Sequence, residues 1–153
     1  MLRLTSRRIR SFAVLAAVAV SSSGLPVFCQ EPAMTAGSVA RDGLTLSATE
    51  SAVIAKTNAA RARSGLAPLS ADGQLMNGAR NHARWMARNR NLSHGQGVTE
   101  NIAMGQTSAT EAISSWMQSS GHRANMLGHG HTRIGVAMVQ SADGTAYWCQ
   151  QFR

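Results

Sequence analysis

The chain has 153 residues, enough for one domain once an N-terminal segment is set aside. Its net charge of +8 overstates the basic character of that domain, because four arginines lie in the first ten residues; the remaining eleven basic and seven acidic side chains give +4. The aromatic residues, 5% of the chain, do not alternate with basic ones, which argues against nucleic-acid binding. With only two cysteines, Cys29 and Cys149, the fold must rest on a hydrophobic core rather than on a disulfide framework.

The first 29 residues read as a secretory signal peptide. Four arginines precede an uninterrupted apolar run, residues 12–20, and a group of small residues. The run is too short for a stable transmembrane helix. Cleavage between positions 24 and 36 leaves open whether Cys29 is lost, paired with Cys149 or lipidated, although the bulky Phe28 disfavours lipidation. We therefore expect an exported protein, periplasmic or extracellular, without a transmembrane span in its mature form.

Residues 30–46 mix Pro, Gly, Ser and Thr without an apolar period and predict a linker, which leaves residues 47–153 as the domain. Ser47 and Glu50 form a capping-box pattern that opens a helix predicted over residues 48–63. A second helix is predicted over residues 71–90 from its apolar face.

The second predicted helix carries Arg80, Arg84 and Arg88 at four-residue spacing, opposite its apolar face. These three residues, which we call the arginine ridge, are typical of a solvated helix surface. The alternative interpretation is that they contact anionic envelope polymers or lipids. His82 lies on the apolar side, where a hydrogen-bonded core residue is expected rather than a ligand.

In the last third of the chain, the spacing of the apolar residues changes from a helical period to a period of two. A second capping box, Ser108 to Glu111, begins a helix that we expect Gly121 to end, which places His122 just past its terminus. From Thr132 apolar residues alternate, residues 143–144 predict a hairpin turn, and residues 145–152 return as a partner strand. Helices followed by an antiparallel hairpin define an α+β arrangement.

The chemically useful side chains are concentrated between His94 and Asn125. His94, Glu100 and His122 lie beside glycines or turns. Imidazoles are the commonest zinc ligands in proteins, and a nearby carboxylate can orient the ring or handle a proton. The pattern predicts a metal or acid–base site; capping of backbone groups at helix ends is the competing interpretation.

Short motifs follow one another through the domain: Asn58 and Arg61; Leu69, Leu75 and Ala79; Ser93-His94; Glu100-Asn101-Ile102-Ala103; Trp116-Met117; Gly121-His122-Arg123 and Asn125; Ile134-Gly135-Val136; and Gln150-Gln151-Phe152. This order resembles the secreted CAP domains, also called the SCP-like or pathogenesis-related-1-like superfamily, and in particular their bacterial branch. The resemblance covers about residues 50–152. It implies a three-layer α-β-α sandwich with a small antiparallel sheet between helices.

The resemblance also implies a functional cleft. Eukaryotic members carry two histidines and two acids there, and the histidines can hold a divalent metal. His94 and His122 match the two histidines and Glu100 matches the first acid, whereas Ser119 stands at the position of the second acid. With one carboxylate missing and only two imidazoles present, we expect no required cofactor and weak binding of Zn²⁺ or another divalent cation through His94 and His122.

Two residues suggest an enzyme instead. Ser119 could act as a nucleophile activated by His122, with Glu100 as the orienting acid, but no nucleophile elbow or oxyanion motif accompanies it. Cys149 lies in a predicted strand among aromatic residues, where a thiol is expected to be inert.

Four other polar residues have plainer interpretations. His129 and His131 have the spacing to chelate a metal, but a solvated loop is favoured. Asn101 and Asn125 read as structural hydrogen-bonding residues, and Glu100 reads equally as structural or chemical.

From these observations we expect an exported, non-catalytic CAP domain. It is predicted to bind a ligand or partner, such as a lipid or a cell-envelope component, in a cleft lined by His94, Glu100, Ser119 and His122. A metal-dependent or serine-type hydrolase that uses the same cleft is the alternative.

Overall fold

The computed structural model describes residues 44–153. The predicted signal peptide and residues 30–43 of the predicted linker lie outside the described residues. Leu44 and Leu46, which the prediction assigned to the linker, pack against the hydrophobic core. The elements, in chain order, are α1 (Ala48–Arg63), β1 (Ser70–Ala71), α2 (Gly73–Asn89), β2 (Thr99–Met104), α3 (Ala109–Gln118), α4 (Ser120–Met126), β3 (Arg133–Gln140) and β4 (Ala146–Phe152).

The four strands form one sheet in the order β1-β3-β4-β2. The β3–β4 hairpin and the β2–β4 pair are antiparallel, while the two-residue β1 runs parallel to β3. Helix α2 packs on one face of the sheet, and α1, α3 and α4 contribute to the core on the other face. The predicted α+β three-layer α-β-α sandwich is confirmed, with one short parallel pair at the edge of the otherwise antiparallel sheet.

Strand β4 is central, and all seven of its residues are buried. Its alternate side chains enter two different cores, as the predicted period of two requires: Trp148 and Phe152 pack towards α1 and α3, whereas Tyr147 and Cys149 pack towards α2.

The helix caps follow the local sequence. Ser47 forms the predicted capping box with Glu50, and Ser108 accepts a hydrogen bond from the Glu111 N–H. Helix α2 begins later than predicted because Asp72 caps it, accepting from the N–H groups of Gln74 and Leu75. The preceding residues 70–71 pair with β3 instead.

The prediction that Gly121 ends a helix is wrong. Helix α3 ends at Gln118, Ser119 is extended (φ −91°, ψ 125°), and α4 begins at Ser120. Gly121 does not adopt a positive φ, so it needs no left-handed turn and continues the helix. His122 therefore lies in the first turn of α4 rather than beyond a helix terminus.

Arg61 joins α1 to the loops that precede β3. Its guanidinium is only 1% exposed and donates to the carbonyls of Ala67, Met126, Gly128 and His131. These four acceptors replace the water that the buried cation loses. Within residues 44–153, no helix is long and apolar enough to cross a membrane.

Candidate functional site

Glu100 lies on the edge strand β2 and is only 4% exposed. Its Oε1 accepts from the Gly95 N–H at 2.6 Å and lies 3.2 Å from His94 Nδ1. Its Oε2 accepts from Gln151 Nε2 at 3.3 Å and from the Cys149 thiol at 3.6 Å. Both carboxylate oxygens are therefore occupied by protein donors.

His94 is oriented by this carboxylate. Because a carboxylate accepts hydrogen bonds, the Nδ1 that faces Glu100 carries a proton, and in the neutral form of the ring Nε2 would hold the lone pair. The His94 side chain is 57% exposed, whereas that of Glu100 is 1% exposed. A buried acid thus holds a solvent-accessible imidazole in one tautomer.

His122 lies in the first turn of α4. Its pKa is lowered, first by burial and second by the charge of the nearby His94. A neutral imidazole at ordinary pH follows, which is the form that binds a metal. His94 contacts Glu100, and its charge reaches His122; that the three residues form one site stays a prediction.

Asn101 and Asn125 attach α4 to the free edge of β2. Asn101 Nδ2 donates to the His122 carbonyl at 2.9 Å, and Asn125 Nδ2 donates to the Glu100 carbonyl at 3.2 Å and to Asn101 Oδ1 at 3.0 Å. Gln150 accepts from Asn101 and donates to Thr57, which extends this network to α1. The structural interpretation of the two asparagines is confirmed. Their hydrogen bonds hold the backbone carbonyls of Glu100 and His122 in place.

His82 belongs to the surroundings of Glu100, although the sequence placed it outside the site. Its predicted hydrogen bond is present, because Nε2 lies 2.9 Å from the Ser93 carbonyl oxygen. The same Nε2 lies 3.5 Å from Glu100 Oε1, and the ring stacks on Trp85 at a centroid distance of 5.9 Å. No local pattern could show this, since the contact joins α2 to β2.

Neither nucleophile candidate is assembled for catalysis. Ser119 is the N-cap residue of α4, but its hydroxyl caps no N–H, and no hydrogen bond joins it to His122 in the described part of the chain. Cys149 is fully buried, and burial followed by the charge of Glu100 raises the pKa of its thiol well above the ordinary value. The raised pKa favours the protonated thiol, which supports the expectation that it is inert.

The second histidine pair is separated by its environments. His129 is exposed, while His131 is half-buried and stacks on Phe152 with a centroid distance of 5.4 Å. Burial and the charge of Arg61 lower the pKa of His131. The solvated-loop interpretation therefore fits His129 but not His131, which packs against the core.

The predicted arginine ridge is shortened by one member. Arg80 donates to both carboxylate oxygens of Glu50, at 2.7 and 2.8 Å, and to the Thr45 carbonyl. Arg84 and Arg88 remain exposed further along α2.

The donor set at the cleft fits a divalent metal only weakly. His94 and His122 offer two imidazoles, while the oxygens of Glu100 are already hydrogen-bonded. Among residues 44–153, no group of three or more His, Cys, Asp or Glu side chains is arranged to hold a metal ion. Two imidazoles fall short of the three protein ligands usual in catalytic zinc sites, so a metal held here would be exchangeable.

An apolar groove lies elsewhere, between the start of α1 and β1. It has a volume of about 830 Å³, and Leu46, Ile54 and Leu69 contribute to its wall. None of His94, Glu100, Ser119 and His122 lines this groove.

Comparison with known proteins identifies the family. Residues 54–152 match the sequence profile of CAP, the Cysteine-rich secretory protein family. The uncharacterized protein YkwD of Bacillus subtilis (strain 168) is 35% identical over 126 residues, which cover 71% of this chain and 48% of YkwD. The chain spans about half the length of that relative. It belongs to the CAP family.

Solved structures show the same fold. An extracellular protein containing an SCP domain from Bacillus anthracis str. Ames is 26% identical, with a TM-score of 0.58 over 69% of this chain and 40% of that one. An outer surface protein of Borrelia burgdorferi has a TM-score of 0.60 over 65% of this chain and 87% of its own, at 17% identity. The resemblance to bacterial CAP domains drawn from the sequence motifs is confirmed.

Proposed function

We propose that this protein is an exported CAP domain that binds a polar ligand in the cleft of His94, Glu100, Ser119 and His122, without catalysing a reaction. The observation that carries the proposal is the arrangement of Glu100. Its buried carboxylate accepts hydrogen bonds from protein donors and orients His94, whose charge contributes to lowering the pKa of His122. The acid therefore acts on the orientation of an imidazole and not on a substrate.

The two imidazoles would supply the recognition chemistry. The His94 ring is exposed and offers the Nε2 lone pair when it is neutral, and the lowered pKa of His122 favours the neutral form of that ring. Such a pair would bind a divalent cation weakly, through His94 and His122, and leave the remaining coordination positions to water or to a ligand. A bound cation would supply a Lewis-acidic contact for an anionic or carbonyl group of the ligand.

Binding is favoured over hydrolysis because neither Ser119 nor Cys149 is activated as a nucleophile within residues 44–153. The hydroxyl of Ser119 has no hydrogen bond to a base in residues 44–153, and the Cys149 thiol is buried with a raised pKa. An activated nucleophile needs a base within hydrogen-bond reach or a lowered pKa.

The test uses the exported protein with and without zinc. We expect calorimetry to show weak, reversible zinc binding that His94→Ala and His122→Ala each abolish and that the exposed control His129→Ala leaves unchanged. Peptide and ester substrates should not be turned over in either state. Turnover that disappears in His94→Ala or Ser119→Ala would contradict the proposal and support the hydrolase. The mass of the exported protein would show where the leader is removed.

A further inference from the structure

The outward side of α2 is a surface without acidic groups. We call the α2 outer face the set of exposed residues Asn77, Asn81, Arg84, Trp85, Arg88 and Asn89. The whole helix contains neither Asp nor Glu. Solvated helix faces are commonly stabilised by acid–base pairs three or four residues apart, and here Arg84 and Arg88 form a like-charged pair instead. The positive charges of Arg84 and Arg88 therefore repel each other, and an anionic partner would reduce this repulsion.

The two arginines are not neutralised from elsewhere in residues 44–153. Arg84 donates only to the neutral Asn81, and neither Arg84 nor Arg88 takes part in an ion pair in this part of the chain. The side-chain carboxylates of the described residues are engaged with other groups: Glu50 with Arg80, Asp72 with Arg153, Glu100 with Gly95 and Gln151, Glu111 with Thr107, and Asp143 with Ser141 and Arg90. The positive charge of the α2 outer face is therefore available to a ligand.

Trp85 supplies a flat apolar surface between these charges. It is 44% exposed, whereas Trp116 and Trp148 are each 1% exposed. Its ring lies nearly parallel to His82, with an interplanar angle of 6°, so the indole is held in place. An exposed aromatic ring that is fixed on one side loses little conformational freedom when a partner covers its other side.

We propose that the α2 outer face binds an anionic glycan. A sugar ring would stack on Trp85, its carboxylate or phosphate groups would pair with Arg84 and Arg88, and the asparagine amides would bond to its hydroxyls. This site uses none of the proposed cleft residues His94, Glu100, Ser119 and His122.

A membrane surface fits the same face less well. The apolar side of α2 is buried against the sheet, where Ala79, Ala83 and Met86 belong to the core. Only one large apolar side chain is left on the α2 outer face, and its three asparagines would lose water on insertion. A hydrated polymer retains those hydrogen bonds.

Fluorescence of the full-length protein tests the proposal, because Trp85 is the exposed member of three tryptophans. Polygalacturonate provides carboxylates, phosphomannan provides phosphates, dextran is the neutral control, and phosphatidylglycerol vesicles provide an anionic membrane. We expect at least one anionic polymer, but not dextran, to protect the fluorescence from acrylamide quenching. The protection should vanish at 1 M salt, where the Debye length is about 3 Å.

Variants separate this site from general charge effects. We expect the double change Arg84→Gln/Arg88→Gln to weaken polymer binding about tenfold or more, which corresponds to about 1.4 kcal/mol of binding free energy. Trp85→Ala should have an effect of the same size, and co-sedimentation measures it because this variant lacks the fluorescent reporter. The control Lys56→Gln/Arg63→Gln removes the same charge from α1 and should leave affinity unchanged.

Three results would overturn the proposal. The first is no protection by either polymer. The second is an equal loss of affinity in the α1 control. The third is a blue shift and protection with the vesicles alone, which would assign the surface to a membrane.

Discussion

Glu100 is a buried acid that has no Lys or Arg beside it within the described residues. Its charge is met by the Gly95 N–H, the Gln151 amide, the Cys149 thiol and the imidazoles of His82 and His94. These hydrogen bonds replace the water that the buried carboxylate has lost, and the carboxylate in turn is the acceptor that each buried donor needs. A single side chain thereby couples the loop before β2 to the sheet and to α2.

Glu100→Gln is expected to lower the stability of the protein. The new amide places an N–H₂ group against donors that need an acceptor, which costs about 1–3 kcal/mol of unfolding free energy. Urea unfolding followed by circular dichroism measures the change. The matched control is Glu111→Gln at an exposed helix N-terminus, and equal midpoints for the two variants would contradict this account of Glu100.

At the scale of single elements, the β3–β4 hairpin contains a pH-dependent turn. The Ser141 hydroxyl and the Thr145 N–H donate to the Asp143 carboxylate and, with smaller contributions from its surroundings, lower its pKa from 3.8 to about 2. Because the folded-state pKa is depressed, the stabilisation is present above the unfolded-state value and is lost as the pH falls through about 2.

Asp143→Asn tests the turn directly. We expect the wild type to be more stable than the variant at neutral pH and the difference to shrink between about pH 4 and pH 2. Urea unfolding of both proteins across this range measures it. A difference that stays constant with pH would show that the carboxylate does not stabilise the hairpin through its charge.

The contact of α2 with the sheet depends on Gly135. A Cβ at this position would overlap the backbone of Leu75 in α2. Gly135→Ala should therefore force the helix from β3 and cost about 1–3 kcal/mol. Gly121→Ala in α4 is the matched control, because a Cβ there meets nothing within 4 Å. Thermal unfolding compares the two, and an equally tolerated Gly135→Ala would contradict the packing described.

The elements differ in how far the sequence predicts them. The Ser47 capping box and the 143–144 turn are local, since the interacting groups lie within four residues, and both were predicted. Strands β1 and β2 were not predicted from periodicity, because the first has only two residues and the second is buried on both faces except at its ends. Their pairing with β3 and β4 is a long-range property that no short window contains.

At the scale of the whole molecule, the proposed cleft would draw its residues from the loop after α2, from β2 and from α4. The motifs pointed to His94, Glu100 and His122, but the residues around Glu100 could not be predicted in the same way. His82 and Gln151 lie 18 and 51 residues from Glu100 in sequence and meet it only because α2 and β4 pack against β2. A helix-face argument placed His82 correctly on the inner side and could not show which acid it approaches.

The central claim is that His94 and His122 share one recess. The most direct test is an NMR pH titration of the imidazoles in the wild type and in His94→Ala, with His129→Ala as the control. Since the charge of His94 contributes to lowering the His122 pKa, its removal should raise that pKa, while His129→Ala should leave it unchanged. In the wild type, zinc should shift the His94 and His122 signals at the same concentration. An unchanged His122 pKa in His94→Ala, together with independent zinc responses of the two rings, would contradict the account.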